Sequence, residues 1–259
     1  MLAARILRVF TPVGLLMLAL LPCVSIAADW QIDAGAGLIS APRSLGSGRQ
    51  LTIPVPVIEA RYRDWFFATD NPIEGIGVAK KLESGLRLTA SLGVDLDTRD
   101  PGADPHVRSL PKVSAAGAAR GRVEYETQNW FSSLTVSERL AESNSRGLTV
   151  AAEFGYNVLA TERVLASVGL DERLMDATWA RNFLTVTNSR ALSSDLPAYR
   201  AGAGQLDAGV FLQGLYRLDD RWTVFSRVQY ARFGGDAAAS PVVSNRNSVL
   251  GLLFIVRAF

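Results

Sequence analysis

The sequence predicts an all-β protein, an antiparallel transmembrane β-barrel of about twelve strands. Three observations predict it. Apolar and polar side chains alternate with a period of two along most of the chain, short and long connections alternate between the segments, and aromatic residues gather near segment ends. A period of two places one residue set on each face of a strand, whereas in a helix the same charges would be scattered around the axis.

The N-terminus sets the compartment. Arg5 and Arg8 precede the largely apolar run VFTPVGLLMLALLP, and CVSIAAD follows. Ser25 and Ala27 are small residues at the spacing an export peptidase reads, so residues 1–28 read as a signal peptide cleaved after Ala27 or Ala28. An uncleaved anchor is the competing reading, and the polar, strand-like sequence that follows at once argues against it. Pro22 stands where a lipidated Cys23 would need a small predecessor. Cleavage removes the single cysteine and two arginines but no acid, so the formal charge of +2 falls to zero. The exported chain, 29–259, is then a single barrel domain without disulfides, and nothing in its charge points to nucleic acid. No apolar run of about 18 residues follows the signal, so a membrane protein of this composition has to be a closed sheet, the remaining way to satisfy backbone hydrogen bonds in lipid.

The segments follow in order. WQIDAGAGLI (30–39) puts Trp30, Ile32, Ala34, Ala36 and Leu38 on one face. IPVPVIEARY (53–62) and DWFFAT (64–69) flank the Arg63-Asp64 junction, and IEGIGVAKKL (73–82) leads through Glu83-Ser84 into GLRLTASLGVDLD (85–97). That last segment alternates without error, with Leu88, Leu92, Val94 and Leu96 opposite Arg87, Thr89, Ser91, Asp95 and Asp97. KVSAAGAARGRVEYE (112–126) is the weakest member, and Gln128-Asn129 joins it to WFSSLTVSER (130–139). GLTVAAEFGYN (147–157), VLASVGLDERLMD (164–176), QLDAGVFLQGLYRL (205–218), RWTVFSRVQYARF (221–233) and NSVLGLLFIVRAF (247–259) complete the set.

If the first strand starts in the periplasm, the connections near 63, 83, 128, 159 and 219 are all short and periplasmic, and both termini lie on that side. The opposite set includes the long stretches 40–52, 98–111, 177–204 and 234–246, alongside two short connections near 70–72 and 141–145. Short periplasmic turns against longer external loops are the asymmetry of outer-membrane barrels. A soluble sandwich also alternates and turns on Gly and Pro. Against it, Trp30, Trp65, Phe66, Trp130, Trp222, Tyr230 and Phe259 sit near strand ends, where interface girdles form.

The polar faces carry charges of both signs in mid-strand: Arg87, Asp95, Arg120, Arg122, Glu124, Glu153, Asp171, Arg173, Asp207, Arg217 and Arg227. In a barrel they line the lumen, where they either pair and fill it or tune a narrow wet path. Catalytic chemistry has no comparable support. His106 is the single histidine, in a Pro/Gly/Asp-rich loop, with Asp100 and Asp104 nearby but no second histidine and no cysteine to complete a metal site. A Ser-His-acid triad is a spatial arrangement and stays open, but no nucleophile-elbow sequence supports one. GAG at 35–37 and 202–204 lies beside strands and is not followed by a helix, so neither is a phosphate loop. No cofactor is expected.

The stretch LTIPVPVIEARYRDWFFATDNPIEGIGV (51–78), a Pro-containing apolar strand running into Glu-Ala-Arg-Tyr and then Phe-Phe before a Gly-rich strand, resembles the MltA-interacting protein (MipA/OmpV) family of Gram-negative outer membranes. Residues 199–232, from YRAGAGQLDAGV to LYRLDDRWTVFSRVQY, resemble the late part of that family, and the terminal strand closing on Phe259 fits. The resemblance implies an outer-membrane protein without enzymatic activity, a structural or scaffolding component of the envelope contacting outer-membrane lipid, the barrel-assembly machinery and periplasmic murein hydrolases or synthases. A narrow, porin-like small-solute channel is the alternative. One departure is Arg257, where barrel termini often place an apolar residue in register with the final Phe. Near an interface an arginine can snorkel, which keeps its cost small.

Overall fold

The computed structural model describes residues 30–62, 65–67, 75–102, 104–141 and 145–259. The signal segment 1–28, the Arg63-Asp64 junction, the connection near 70–72 and the middle of 141–145 lie outside the described residues. Gln31–Phe259 forms one compact unit.

Its strands are β1 (Trp30–Pro42), β2 (Gln50–Tyr62), β3 (Trp65–Phe67), β4 (Ile76–Lys81), β5 (Leu86–Asp95) and β6 (Ala116–Glu126). They continue as β7 (Trp130–Leu140), β8 (Leu148–Ala160), β9 (Val164–Met175), β10 (Gly204–Arg217), β11 (Trp222–Phe233) and β12 (Asn247–Ala258). From β2 to β12 each strand lies antiparallel beside the next, and the sheet curls until β1 pairs with β12 from Asp33↔Ala258 to Ser40↔Gly251.

The alternation read from the sequence is realised with the apolar set facing out. Leu92 is 63% exposed and Val228 58%, while Ser167 and Asp207 are each 1% exposed. That is the reverse of a sandwich, whose apolar faces meet in a core, and the belt far exceeds the isolated surface patches of a water-soluble protein. Along β5 the outward Leu88, Leu92 and Val94 are exposed, and the inward Arg87, Thr89, Ser91 and Asp95 are buried or half-buried.

The sheet's own interior differs by sector. Under β1, β2 and β12 it is apolar, with Ile39, Val57, Leu252 and Phe254 in one buried cluster and Phe225 stacked on Phe254 at 6.1 Å. Under β5 to β11 it is polar and charged.

The long connections are where the structure departs most from the alternation pattern. Residues 177–204 hold helices α1 (Ala177–Leu184) and α2 (Asn188–Ala191), and α3 (Gly235–Ala239) follows β11. Asp176 caps α1, and burial acts against its carboxylate. The Trp179 and Leu148 N–H groups donate to it at 2.7 and 3.0 Å and hold its pKa below the usual carboxylate range. The spacing of Trp179, Ala180, Phe183 and Leu184 puts them on one face of α1, and all four are buried. The Trp179 and Phe183 rings stack at 4.3 Å, and with Val113, Met175, Ala201, Leu206, Phe233 and Ala237 they form an apolar cap across the long-loop end. Val107, Leu110, Val186, Leu196 and Val242 form a second cluster within the same loops.

The cap explains why the segment expected at 112–126 begins its ladder only at Ala116. Val113 bridges to Arg99 instead and is buried in the cap core. A register shift between Gln205 and Asp207 does related work in β10, burying Leu206 in the cap while Asp207 turns to Arg173.

Candidate functional site

The interior of the polar sector is the candidate site, and it is layered. At the short-turn end, Arg61, Lys81, Arg87, Glu124 and Glu126 line a cavity of about 150 Å³. Arg61 pairs with Glu59 at 2.5 Å and Arg122 with Glu124 at 2.8 Å, while Arg120, nearer the long-loop end, donates to the Val94 carbonyl at 2.8 Å.

At mid-depth, Arg227 Nη1 lies 2.9 Å from Glu153 Oε1 and 3.3 Å from Gln213 Oε1, and Nη2 reaches Gln229 at 3.3 Å. Gln229 in turn donates to Asp171 at 2.7 Å. The guanidinium lies over the Phe211 ring at 4.0 Å, and Phe211 faces Phe131 at 6.2 Å. Both rings fit because Gly155 and Gly169 lie against them; a Cβ on Gly155 would overlap Phe131, and one on Gly169 would overlap Phe211.

Beneath the cap, Arg173 is held between Asp207 and Asp97. Arg139 is 1% exposed, pairs with Asp95 at 2.9 Å and donates to the carbonyls of Asp97 and Ser114. Asp97 lies just past the end of β5. Burial raises its pKa to about 6, with the nearby Arg173 working in the opposite direction. Arg99 has a different environment: it donates to the carbonyls of Pro111 and Phe183 at 2.9 Å and of Asn182 at 3.3 Å, closing the C-terminal end of α1. Burial lowers its pKa to about 10, which leaves it charged.

The sequence-derived lumen set divides as follows. Arg87, Asp95, Arg120, Arg122, Glu153, Asp171 and Arg227 face inward on their strands, and Glu153, Arg227 and Asp171 meet in one network. Arg217 is the last residue of β10 and is exposed at the short-turn end. Sequence reasoning did not single out Arg139, Arg99 or Arg61. Arg139 could have been found from strand parity, since it falls on the polar face of its segment with Ser133, Thr135 and Ser137; Arg61 shares a largely apolar face with Ile53, Val55 and Val57, and Arg99 lies in a loop, so neither carries such a signal.

Trp30, Trp65, Trp130 and Trp222 each open a strand at the short-turn end, and Phe259 follows β12 there. Trp130 is half-buried between Tyr125 at 5.4 Å and Phe154 at 5.9 Å; the other four are exposed. His106 Nε2 donates to the Pro241 carbonyl at 2.7 Å, a contact between two cap loops. Among the described residues no group of three or more His, Cys, Asp or Glu is arranged to hold a metal ion.

Compared with known proteins, residues 34–259 match the family model described as MltA-interacting protein MipA. No curated protein matches the chain. Solved structures with a similar course include an outer-membrane channel from Pseudomonas putida F1 at 11% identity, covering 91% of this chain and 97% of that one with a TM-score of 0.43. The DcaP outer-membrane channel of Acinetobacter baumannii is 8% identical, with 91% and 99% covered and a TM-score of 0.37. A loop-deletion form of OmpT from Vibrio cholerae is 9% identical, with 89% and 98% covered and a TM-score of 0.37.

Proposed function

The chain belongs to the MltA-interacting protein MipA family, and from that premise we propose that it is a non-enzymatic scaffold or interaction protein of the cell envelope that links murein-remodelling enzymes. It is an outer-membrane β-barrel protein of a Gram-negative envelope family. In the proposed arrangement residues 1–28 are removed on export and one closed barrel of twelve strands remains, both termini periplasmic and the cap outside.

One observation carries this reading: the interior is occupied at mid-depth and covered at the long-loop end. The Arg227–Glu153 pair and the Phe131 and Phe211 rings fill mid-depth, and the Trp179–Phe183 cap covers the long-loop end. An interior blocked at mid-depth suits a protein that works through its surface. The turns at Glu83-Ser84, Gln128-Asn129 and Asp219-Asp220 are the surfaces offered to periplasmic partners. Asp219 also has a local task there, accepting from the Arg221 and Trp222 N–H groups at 2.8 Å.

The test pairs two measurements on the detergent-purified protein. It is expected to be electrically silent in planar bilayers and to retain a lytic transglycosylase and a murein synthase from detergent extract. Steady conductance without retention overturns the reading.

The second reading, a narrow small-solute channel, is favoured by the charged cavity at the short-turn end. It requires a conductance whose ion selectivity shifts when Arg87 or Arg227 is replaced by Ala.

A further inference from the structure

Most arginines facing the interior are matched, as the pairs above describe, by a carboxylate or by carbonyl oxygens. On the cap, Arg181 and Arg200 are among those that are not. Arg181 on α1 and Arg200 just before β10 are both exposed, and among the described residues neither has a carboxylate within ion-pair distance. Both line the same cavity, about 550 Å³ in volume, formed between α1, α2 and the segment 198–202. Ligand pockets commonly span roughly 300–1,000 Å³.

The floor of this cavity is a two-stranded bridge. Val186 N donates to the Tyr199 carbonyl at 2.8 Å, and Tyr199 N to the Val186 carbonyl at 2.9 Å. Its far edge is tied down by Gly202 N, which donates to Asp236 Oδ2 at 2.7 Å, and by the Tyr199 hydroxyl, which donates to the Asp236 carbonyl at 2.9 Å. The Asp236 carboxylate is therefore engaged behind the edge rather than lining the cavity. Val186 and Ala201 in the lining are buried and belong to the two cap clusters, so the walls are continuous with packed structure. Thr187 and the Asn188 side-chain amide, which makes no hydrogen bond among the described residues, add polar groups to the rim.

We infer that this cavity on the cap binds an acidic saccharide, with Arg181 and Arg200 holding its anionic groups. Two guanidinium groups on one cavity, with no carboxylate in the lining, select for negative charge. A tyrosine ring with threonine and asparagine beside it suits the mixed apolar and hydroxyl surface of a sugar. The volume is more than a lone inorganic anion needs. The ligand's anionic sugar could be free or attached to a surface lipid.

The test uses the full exported chain in detergent micelles and calorimetric titration with trigalacturonic acid, with maltotriose as the neutral counterpart and lipopolysaccharide as the lipid-linked source. Trigalacturonic acid or lipopolysaccharide is expected to bind, and maltotriose at least about tenfold more weakly. The R181A/R200A double variant is expected to lose about tenfold or more, the loss of charge-assisted hydrogen bonds. Arg108→Ala serves as control, because Arg108 is an exposed cap arginine already paired with Asp195 at 3.0 Å and is outside the lining; it should bind like the unaltered protein. Binding of free trigalacturonic acid supports a soluble ligand, and binding of lipopolysaccharide alone supports the same chemistry on a lipid. Absence of binding by both, equal binding of maltotriose, or an equal loss in Arg108→Ala overturns the inference.

Discussion

The guanidinium of Arg139, on β7 of the wall, lies 5.2 Å from the ring centre of Phe183 on the cap helix α1. The same group pairs with Asp95 at 2.9 Å, so one buried arginine joins the charged interior to the apolar cap. Cap and wall are thereby coupled through a contact that is cationic on one side and aromatic on the other.

Arg139→Ala should therefore destabilise both. It leaves Asp95 without its guanidinium, and removing one partner of a buried pair costs about 3–5 kcal/mol. Urea unfolding in detergent should show the lost stability, and limited proteolysis should cut faster within 177–204. An unchanged proteolysis rate would show that the cap holds without Arg139.

Asp97 predicts a pH dependence of definite sign. Its pKa is raised by burial from 3.8 to about 6, so the folded state binds its proton more readily than the unfolded state does. Its contribution to stability is most favourable below about pH 4 and declines as pH rises through 6. Asp97→Asn should flatten that part of the profile and raise the thermal midpoint at pH 7.5 relative to the unaltered protein. A lower midpoint would mean that attraction to Arg173 outweighs the cost of burial.

Gly169 predicts a size limit. Gly169→Val places methyl groups where the Phe211 ring lies, and overpacking of this kind costs about 1–3 kcal/mol. Removing the ring in the double variant Gly169→Val/Phe211→Ala should recover part of the loss. Strict additivity of the two losses, read from urea midpoints, would contradict the overlap.

Arg257 predicts tolerance at the C-terminal end. It pairs in register with Trp222 and lies 5.8 Å from that ring and 4.8 Å from Phe259, so its charge has aromatic company on the outward face. Arg257→Phe should accumulate the heat-modifiable band in outer membranes at least as fast as the unaltered chain. Arg257→Asp should slow it, since a carboxylate has neither the reach to snorkel nor the attraction to aromatic faces.

The sequence by itself determined the wall. A two-residue period admits a strand and little else, so Leu88, Leu92 and Val94 share one face and Arg87, Ser91 and Asp95 the other whatever the chain does elsewhere. Glu153 and Arg227 were legible as inward residues for the same reason, but their pairing was not, because 74 residues separate them and only the curl of the sheet brings them together. The cap was decided by tertiary structure alone. Trp179 and Phe183 sit in a stretch with no two-residue rhythm, and their helix has value only because Met175, Leu206 and Phe233 present apolar surface at the strand ends. Arg99 is the clearest case: a loop arginine in sequence, it is buried because the carbonyls at the end of α1 need a donor that only the folded loops supply. Local alternation is a property of neighbouring residues and can be read in one dimension; closure of the long-loop end depends on surfaces that exist only once the sheet has formed.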